Sequence, residues 1–166
     1  MSSIKTFTFL HDTPLGKIQA AASKDALLGL WFLGQRYFPK DIKAWAHEPE
    51  HPLFKTLAVW LDDYFDGRKP RIKIPLAPSG SDFRQVVWKI LMDIPYGETT
   101  TYGTIASLLG APGKKLSAQA VGGAVGHNPL SIIIPCHRVI GSDGSLKGYA
   151  GGVDKKEALL KLERGA

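Results

Sequence analysis

Short runs of β-branched and aromatic residues dominate the first third of the chain. Turn-forming residues separate three of these runs, which occupy Ile4–Leu10, Lys17–Ala22 and Leu27–Leu33. An amphipathic stretch follows over Pro52–Phe65, and a proline-containing stretch over 69–81 is typical of a strand or an extended linker. We therefore predict a small sheet with one helix over residues 1–80, which carries no evident chemistry and serves as a scaffold domain.

The hydrophobic pattern changes after residue 80 and predicts helices at 82–92, Tyr102–Leu109 and Ser117–Val125. The last two, joined by a glycine-containing loop, are a candidate helix-turn-helix, although Gly110–Leu116 is longer than the usual turn. The third helix contains several glycines, each of which costs about 1 kcal/mol relative to alanine. We therefore expect another element, or a groove of DNA, to approach that backbone closely.

The stretch around the only cysteine carries the candidate chemistry. The three β-branched residues Ile132–Ile134 are predicted to form a short buried strand that Pro135 ends, so that Cys136 and His137 follow at the end of the strand. A thiolate is a strong nucleophile, and a neighbouring histidine and Arg138 could supply a base and a positive field. From these residues alone, an inert buried cysteine is an equally good interpretation.

Composition excludes several classes of protein. The chain is 44% hydrophobic and 22% charged, as globular proteins are, and no apolar run approaches the roughly 20 residues of a membrane-spanning helix. The N-terminus lacks the pattern of a signal peptide, and one cysteine excludes an internal disulfide, so we expect a cytoplasmic protein. One cysteine with five scattered histidines predicts no metal site.

The formal net charge of +6 is compatible with binding to a polyanion. The distribution of this charge along the sequence is more informative. Between residues 99 and 153 the one acidic residue is Asp143, whereas the basic residues are Lys114, Lys115, Arg138 and Lys147. A surface that contacts phosphates would be basic in this way, and so would an ordinary solvated surface.

The sequence Pro135-Cys136-His137-Arg138-Val139 resembles the active-site signature of the methylated-DNA–protein-cysteine methyltransferases, which repair O6-alkylguanine. Matching segments stand on both sides, at Ala120–Ala124, Asn128-Pro129 and Gly148–Gly152. The resemblance is strong over 81–166 and loose over the first 80 residues. It implies an α/β (α+β) protein with a ribonuclease H-like domain at 1–80 and a helical, winged-helix-like alkyltransferase domain at 81–166.

The resemblance also implies a reaction. Cys136 would accept the alkyl group, once, from an O6-alkylguanine that is flipped out of double-stranded DNA. His137 would be its base through a bridging water, Glu163 would orient that histidine, and Tyr102 would serve the guanine N3. The protein would be a stoichiometric reagent and a monomer, without a cofactor. Whether O4-alkylthymine is also repaired stays open.

Other positions match residues that hold the base or the DNA. The backbone of Val139 would accept from the guanine amino group, Ala150 would offer its N–H near O6, and Asn128 would brace the turn before the active-site segment. A minor-groove surface would comprise Ala118, Gln119, Gly122, Gly123 and Arg138. Gln119 stands where the family usually has an arginine that fills the gap left by the flipped base, and it lacks the charge and stacking plane of a guanidinium.

Two acids of the last predicted helix compete for the role of orienting His137. Asp154-x-x-Glu157 has the pattern of a capping box, which predicts a structural role for Glu157. Glu163 lies in the last turn, where a carboxylate opposes the helix dipole, and a residue placed against local preference is the better functional candidate. A solvated terminal glutamate is the alternative for Glu163.

Two other functions remain compatible with the chain. One is a DNA-binding lesion sensor that does not repair, although such relatives lack the acceptor cysteine. The other is a Cys–His hydrolase, which the sequence disfavours because neighbours on an extended segment point to opposite faces. A hydrolase would turn over an ester repeatedly, whereas the alkyltransferase would stop after one equivalent.

Overall fold

The computed structural model describes residues 5–110, 116–146 and 148–165, and the chain divides into two units between Ser79 and Gly80. The first unit contains a sheet with the strand order β3-β2-β1-β4. Its strands are β1 (Phe7–Thr13), β2 (Gly16–Ala22), β3 (Leu27–Phe32) and β4 (Ala46–His47). The first three pair antiparallel, and β4 pairs parallel with β1.

The helix α1 (Pro52–Phe65) packs on β1 and β2. The ring of Phe54 in α1 stacks on Phe9 of β1 with 4.5 Å between centroids, and both side chains are buried. The predicted sheet and helix are thus confirmed, although β1 begins at Phe7 and extends to Thr13. Ile4, with which we expected it to begin, lies outside the described residues.

The second unit contains α2 (Asp82–Met92), β5 (Thr100–Thr101), α3 (Tyr102–Leu109), α4 (Ala118–Gly126), β6 (Val139–Ile140) and α5 (Val153–Arg164). Side-chain oxygens cap the first three helices: Ser81 accepts from Arg84, Thr101 from Thr104 and Ser117 from Ala120. These helices agree with the predicted ones to within a residue or two at each end.

Helix α4 packs against both α2 and α3. The buried indole of Trp88 in α2 donates to the carbonyl oxygen of Ala124 in α4 at 2.9 Å. The short strands β5 and β6 pair parallel, which places the start of α3 beside the segment that follows Cys136. This pairing brings Tyr102 and the cysteine segment into the same region of the unit.

The predicted strand at Ile132–Ile134 is wrong, because these residues form turns. Ile132 adopts a φ of 72°, which is uncommon for a β-branched residue. The side chain of Asn128 holds the turn: its Nδ2 donates to the Ile134 carbonyl at 2.7 Å, and its Oδ1 accepts from the Leu130 amide at 2.9 Å. Hydrogen bonds from Asn128, and not strand pairing, therefore fix the conformation of this apolar run.

Residues Cys136–Arg138 form one turn of 3₁₀ helix and not the extended segment that we expected. The prediction of opposite faces for Cys136 and His137, which assumed period-two alternation, therefore does not apply.

The predicted capping box on the last helix is also wrong. Helix α5 begins at Val153 with Gly152 as its N-cap, and no side chain caps it. Gly152 has a φ of 105°, a conformation that favours glycine, so the chain enters the helix before Asp154. Glu157 is exposed and pairs with Lys161 at 3.5 Å.

Candidate active site

Cys136 lies at the start of the 3₁₀ turn, on a support fixed from both sides. Its amide donates to the Ile134 carbonyl at 2.7 Å, and the fully buried Val139 pairs with Thr100 on β5. The cysteine is only 5% exposed. The sulfur is thus held in a rigid, largely dry environment, where a reacting group can be oriented.

The imidazole of His137 is fully buried and contacts Glu163, with 2.5 Å between Nε2 and Oε2. A carboxylate accepts, so Nε2 must carry a proton and Nδ1 is left as an acceptor. Within the part of the chain that the structure describes, Nδ1 has no hydrogen-bond partner. Burial lowers the pKa of His137 below its usual 6.5, although Glu163 acts in the opposite direction. His137 is therefore a neutral base with an unused acceptor.

Glu163 is itself fixed by several donors. Arg138 donates from Nε to Oε1 at 2.7 Å and from an η-nitrogen to Oε2 at 3.1 Å, and the Gly97 amide lies 3.3 Å from Oε1. The carboxylate is fully buried, so the alternative of a solvated terminal glutamate is wrong. The helix dipole disfavours a carboxylate here, and this bidentate pair offsets that cost.

Arg138 lies inside the site and not on its surface. Its side chain is 11% exposed, and its remaining η-nitrogen donates to the Ile94 carbonyl at 2.6 Å. Its guanidinium also lies 5.7 Å from the ring centroid of Tyr96. This placement does not support the predicted DNA contact of Arg138, because its donors are directed at Glu163 and Ile94.

The ionisation of Cys136 reflects opposing effects. Burial raises the pKa of the thiol above its usual 9.0, whereas a hydrogen bond from Asn128 and the charge of Lys156 lower it. Asn128 is 4% exposed, and it also holds the preceding turn. The predicted brace therefore touches both the turn and the reactive group.

Tyr102 begins α3 and is half-buried. Its hydroxyl would lie 3.2 Å from a Cβ placed on Gly148, so it faces the loop that contains Ala150, which is also half-buried. Burial and the neighbouring Cys136 raise the pKa of Tyr102, which keeps its hydroxyl protonated as a donor. The tyrosine, the loop and the cysteine thus share one region.

Helix α4 presents an outer face of small residues. Ala118, Gln119 and Gly123 are exposed, and a Cβ on Gly123 would meet nothing within 4 Å. Gly122 is different, because its Cβ position lies 3.9 Å from the ring of Tyr102. The close approach that we expected is therefore supplied by Tyr102 at Gly122, whereas the backbone at Gly123 is open.

Lys156 also lies in this region, although it was not predicted from the sequence. Its side chain is fully buried, its Nζ has no hydrogen-bond partner among the described residues, and the Nζ lies 5.8 Å from the ring centroid of Tyr102. Burial lowers the pKa of Lys156 to about 8, and Cys136 acts in the opposite direction. Lys156 shares a stripe at i, i+3, i+4 and i+7 with Leu159, Leu160 and Glu163, and this spacing could have predicted its burial.

Residues 5–110, 116–146 and 148–165 contain no group of three or more His, Cys, Asp or Glu side chains that could hold a metal ion. Among the helices of these residues, none has the length and hydropathy needed to cross a membrane. Three lysines on which the predicted basic surface rested, Lys114, Lys115 and Lys147, lie outside the described residues.

Comparison with known proteins assigns both units. Residues 6–78 match the ribonuclease-like domain of 6-O-methylguanine DNA methyltransferase, and residues 82–165 match its DNA-binding domain. Methylated-DNA–protein-cysteine methyltransferases of Mycobacterium tuberculosis and Methanosarcina barkeri are 46% and 45% identical to the chain. Each alignment covers 92% of the chain, and it covers 89% of the first relative and 93% of the second.

Solved structures agree with these sequence matches. The structure of Mycobacterium tuberculosis OGT in complex with DNA superposes with a TM-score of 0.84 at 42% identity, covering 98% of this chain and 94% of that one. An O6-methylguanine DNA methyltransferase from Methanococcus jannaschii gives a TM-score of 0.68 at 30% identity, covering 94% and 93%. The chain therefore belongs to the family of the 6-O-methylguanine DNA methyltransferases.

Proposed function

We propose that this protein repairs double-stranded DNA by direct reversal, transferring the alkyl group of an O6-alkylguanine to the Sγ of Cys136. The observation that carries the proposal is the buried series Cys136, His137 and Glu163, in which His137 keeps an unused acceptor at Nδ1. The relative from Mycobacterium tuberculosis that was solved with DNA supports DNA as the partner.

The chemistry follows from the protonation states. The thiol proton of Cys136 passes through a bridging water to Nδ1 of His137, and the thiolate attacks the alkyl carbon in line. The bond between that carbon and O6 breaks, and its electron pair stays on the guanine. The Tyr102 hydroxyl donates to the guanine N3 and stabilises the developing negative charge.

The backbone and the brace complete the site. The carbonyls of Cys136 and Val139 accept from the guanine amino group, and the N–H of Ala150 serves O6. Asn128 keeps the preceding turn in place. The product is a thioether, which does not ionise and is a poor leaving group, so each molecule reacts once.

The DNA contact belongs to helix α4. A base inside the duplex is inaccessible to the sulfur, so it must be flipped into the site. The open backbone at Gly123 and the exposed Ala118 and Gln119 support an approach to the minor groove, with Gly122 packed on Tyr102 behind them. Arg138, in contrast, acts by holding Glu163.

We expect the acid limb of the pH–rate profile to lie below pH 6.5. His137 must be neutral to accept a proton, and burial lowers its pKa below the usual 6.5, so the base stays active until the pH falls through that lowered value. Single-turnover rates on a duplex with one O6-methylguanine, measured from pH 5 upward, provide the test. If the rate instead falls to half of its maximum at pH 6.5 or above as the pH is lowered, the base is not the buried neutral histidine that we propose.

Gln119→Arg should increase the repair rate on duplex DNA more than on free O6-methylguanine. A guanidinium adds charge and a stacking plane at the gap left by the flipped base, and the side chain at position 119 is exposed whereas Cys136 is buried. The ratio of the two rate constants, variant over natural protein, is the measurement. Equal ratios for the two substrates would refute a role for position 119 in flipping.

Stoichiometry tests the proposed function against its rivals. Restored guanine in an excess of methylated duplex should reach a plateau at one equivalent of protein. A lesion sensor would bind the duplex and restore no guanine, and a hydrolase would cleave an activated ester without a plateau.

We further propose that the protein is a cytoplasmic monomer that needs no cofactor. Sedimentation tests the monomeric state, and repair in the presence of a chelator tests the independence of a cofactor.

A further inference from the structure

The first unit carries an apolar groove that the chemistry above does not use. The groove has a volume of about 300 Å³ and is lined by α1 and by residues 70–74. Trp60 of α1 lines it and is half-buried, and its Nε1 donates to the carbonyl of Pro70 at 3.2 Å. Val59, on the same helix, also lines the groove and is 61% exposed. Contiguous apolar surface that stays open to solvent indicates a binding site more strongly than scattered apolar side chains do.

One wall of the groove has the pattern of a strand without a neighbour. Ile72 is half-buried and Ile74 is buried. The intervening Lys73 and the preceding Arg71 are exposed, and such alternation is typical of a strand with one face packed and the other in water. Within the part of the chain that the structure describes, the backbone of residues 71–74 forms no hydrogen bond. Its N–H and C=O groups are therefore available to an added strand.

The same segment continues directly into the edge of the sheet. The Leu27 amide of β3 donates to the Pro75 carbonyl at 2.8 Å, and the Ala77 amide donates to the Leu27 carbonyl at 2.9 Å. Proline stands on both sides of residues 71–74 and has no N–H to donate, so an added strand can pair with about four residues here. Prolines and basic side chains also protect a sheet edge from indiscriminate pairing. Pairing at this edge is therefore short and depends on the charge of the partner.

The charge of the groove limits the chemistry of its partner. Among the described residues, neither Arg71 nor Lys73 belongs to an ion pair, and Asp63 of the lining already pairs with Arg68 at 3.3 Å. A second copy of this chain, paired through the same segment, would bring like charges together, which destabilises paired strands. A nucleic acid would satisfy the cations but would leave Val59 and the unpaired backbone groups without a match. An acidic segment of a protein satisfies all three features.

We propose that the groove docks an extended, acidic segment of another protein. The segment adds as a strand beside residues 71–74, with apolar side chains in the groove at every second position. The carboxylates between them pair with Arg71 and Lys73. This docking is separate from alkyl transfer and does not involve Cys136, so it recruits the repair protein to a partner without changing its chemistry.

A short synthetic peptide in which glutamate alternates with valine is the probe. Titrated into the ¹⁵N-labelled full chain, it should shift the amide NMR signals of residues 71–74. The amides that pair with the peptide should also exchange more slowly with solvent hydrogen, because they then donate to its carbonyls.

Charge reversal tests the pairing of the carboxylates. Arg71→Glu combined with Lys73→Glu should weaken binding of this peptide by about tenfold, since two exposed attractions are replaced by repulsions. A peptide that carries lysine in place of glutamate should bind this double variant more tightly than it binds the natural protein. Lys24→Glu combined with Lys40→Glu is the matched control, because both lysines are exposed in the first unit and neither lines the groove. Circular dichroism shows whether both double variants are folded.

Three results would overturn the proposal. The first is a peptide that leaves the signals of residues 71–74 unchanged, or that binds the natural protein and the charge-reversed variant equally. The second is duplex DNA that shifts these signals in place of the peptide, which would assign the cations to nucleic acid. The third is a set of signals that shifts with protein concentration alone, which would assign the groove to a second copy of this chain.

Discussion

Replacing Cys136 by alanine should abolish alkyl transfer and leave the affinity for duplex DNA unchanged. The sulfur is the acceptor and lies inside the second unit at 5% exposure, whereas the surface that we assign to DNA is the outer face of α4. The substitution removes one buried atom and the hydrogen bond from Asn128 to it, but it leaves the bonds by which Asn128 holds the preceding turn, so we expect the fold to persist. Restored guanine and a gel shift of the same methylated duplex measure the two properties.

This prediction depends on separate roles for the sulfur of Cys136, which accepts the alkyl group, and for helix α4, which contacts the DNA. Circular dichroism of Cys136→Ala controls for folding. The natural protein after complete methylation is the matched control for the variant. Restored guanine in the alanine variant would contradict the role of Cys136. Lost binding in a folded variant would contradict the assignment of DNA contact to α4.

Glu163→Gln should lower both the repair rate and the stability. The amide can donate to Nε2 of His137 and so permit the tautomer that carries its proton on Nδ1, which cannot accept from the thiol. Loss of a positioned base costs between about a hundredfold and ten-thousandfold in rate. Arg138 also loses its buried counter-charge, which lowers the free energy of unfolding by on the order of 3 kcal/mol.

Glu157→Gln is the control for this change, because it alters an exposed carboxylate on the same helix. Urea unfolding and single-turnover rates, recorded at a temperature at which both variants are folded, separate stability from chemistry. If Glu163→Gln reacted as fast as Glu157→Gln, Glu163 would not orient the base.

The helices could be predicted from sequence because their periodicity and their caps agree. Helix α2 shows both, with apolar residues at helical spacing and Ser81 as its cap. The segment Ile132–Ile134 was misassigned because its β-branched residues favour a strand locally. Hydrogen bonds from Asn128 decide its conformation instead, and they depend on a folded turn.

The start of α5 was misassigned for a related reason. A capping box at Asp154 is a valid local signal, but Gly152 can adopt a positive φ that starts the helix earlier.

The site shows the same division between local and tertiary information. The resemblance to the family implied the three members of the buried series, Cys136, His137 and Glu163. We expected Arg138 at the DNA surface, and its bidentate pairing with Glu163 was not foreseen because it joins residues that are 25 positions apart. Lys156 was overlooked because a lysine is rarely buried, although its spacing from Glu163 places both on the buried stripe of α5.

The central claim is self-alkylation of Cys136, and the most direct test is intact mass followed by tryptic peptide mapping after incubation with a duplex that carries one O6-methylguanine. We predict that the protein gains the mass of one methylene group and no more. The gain should map to the peptide Leu116–Arg138, which contains Cys136. A protein that shifts this duplex in a gel and keeps its original mass would contradict the account and would support a lesion sensor.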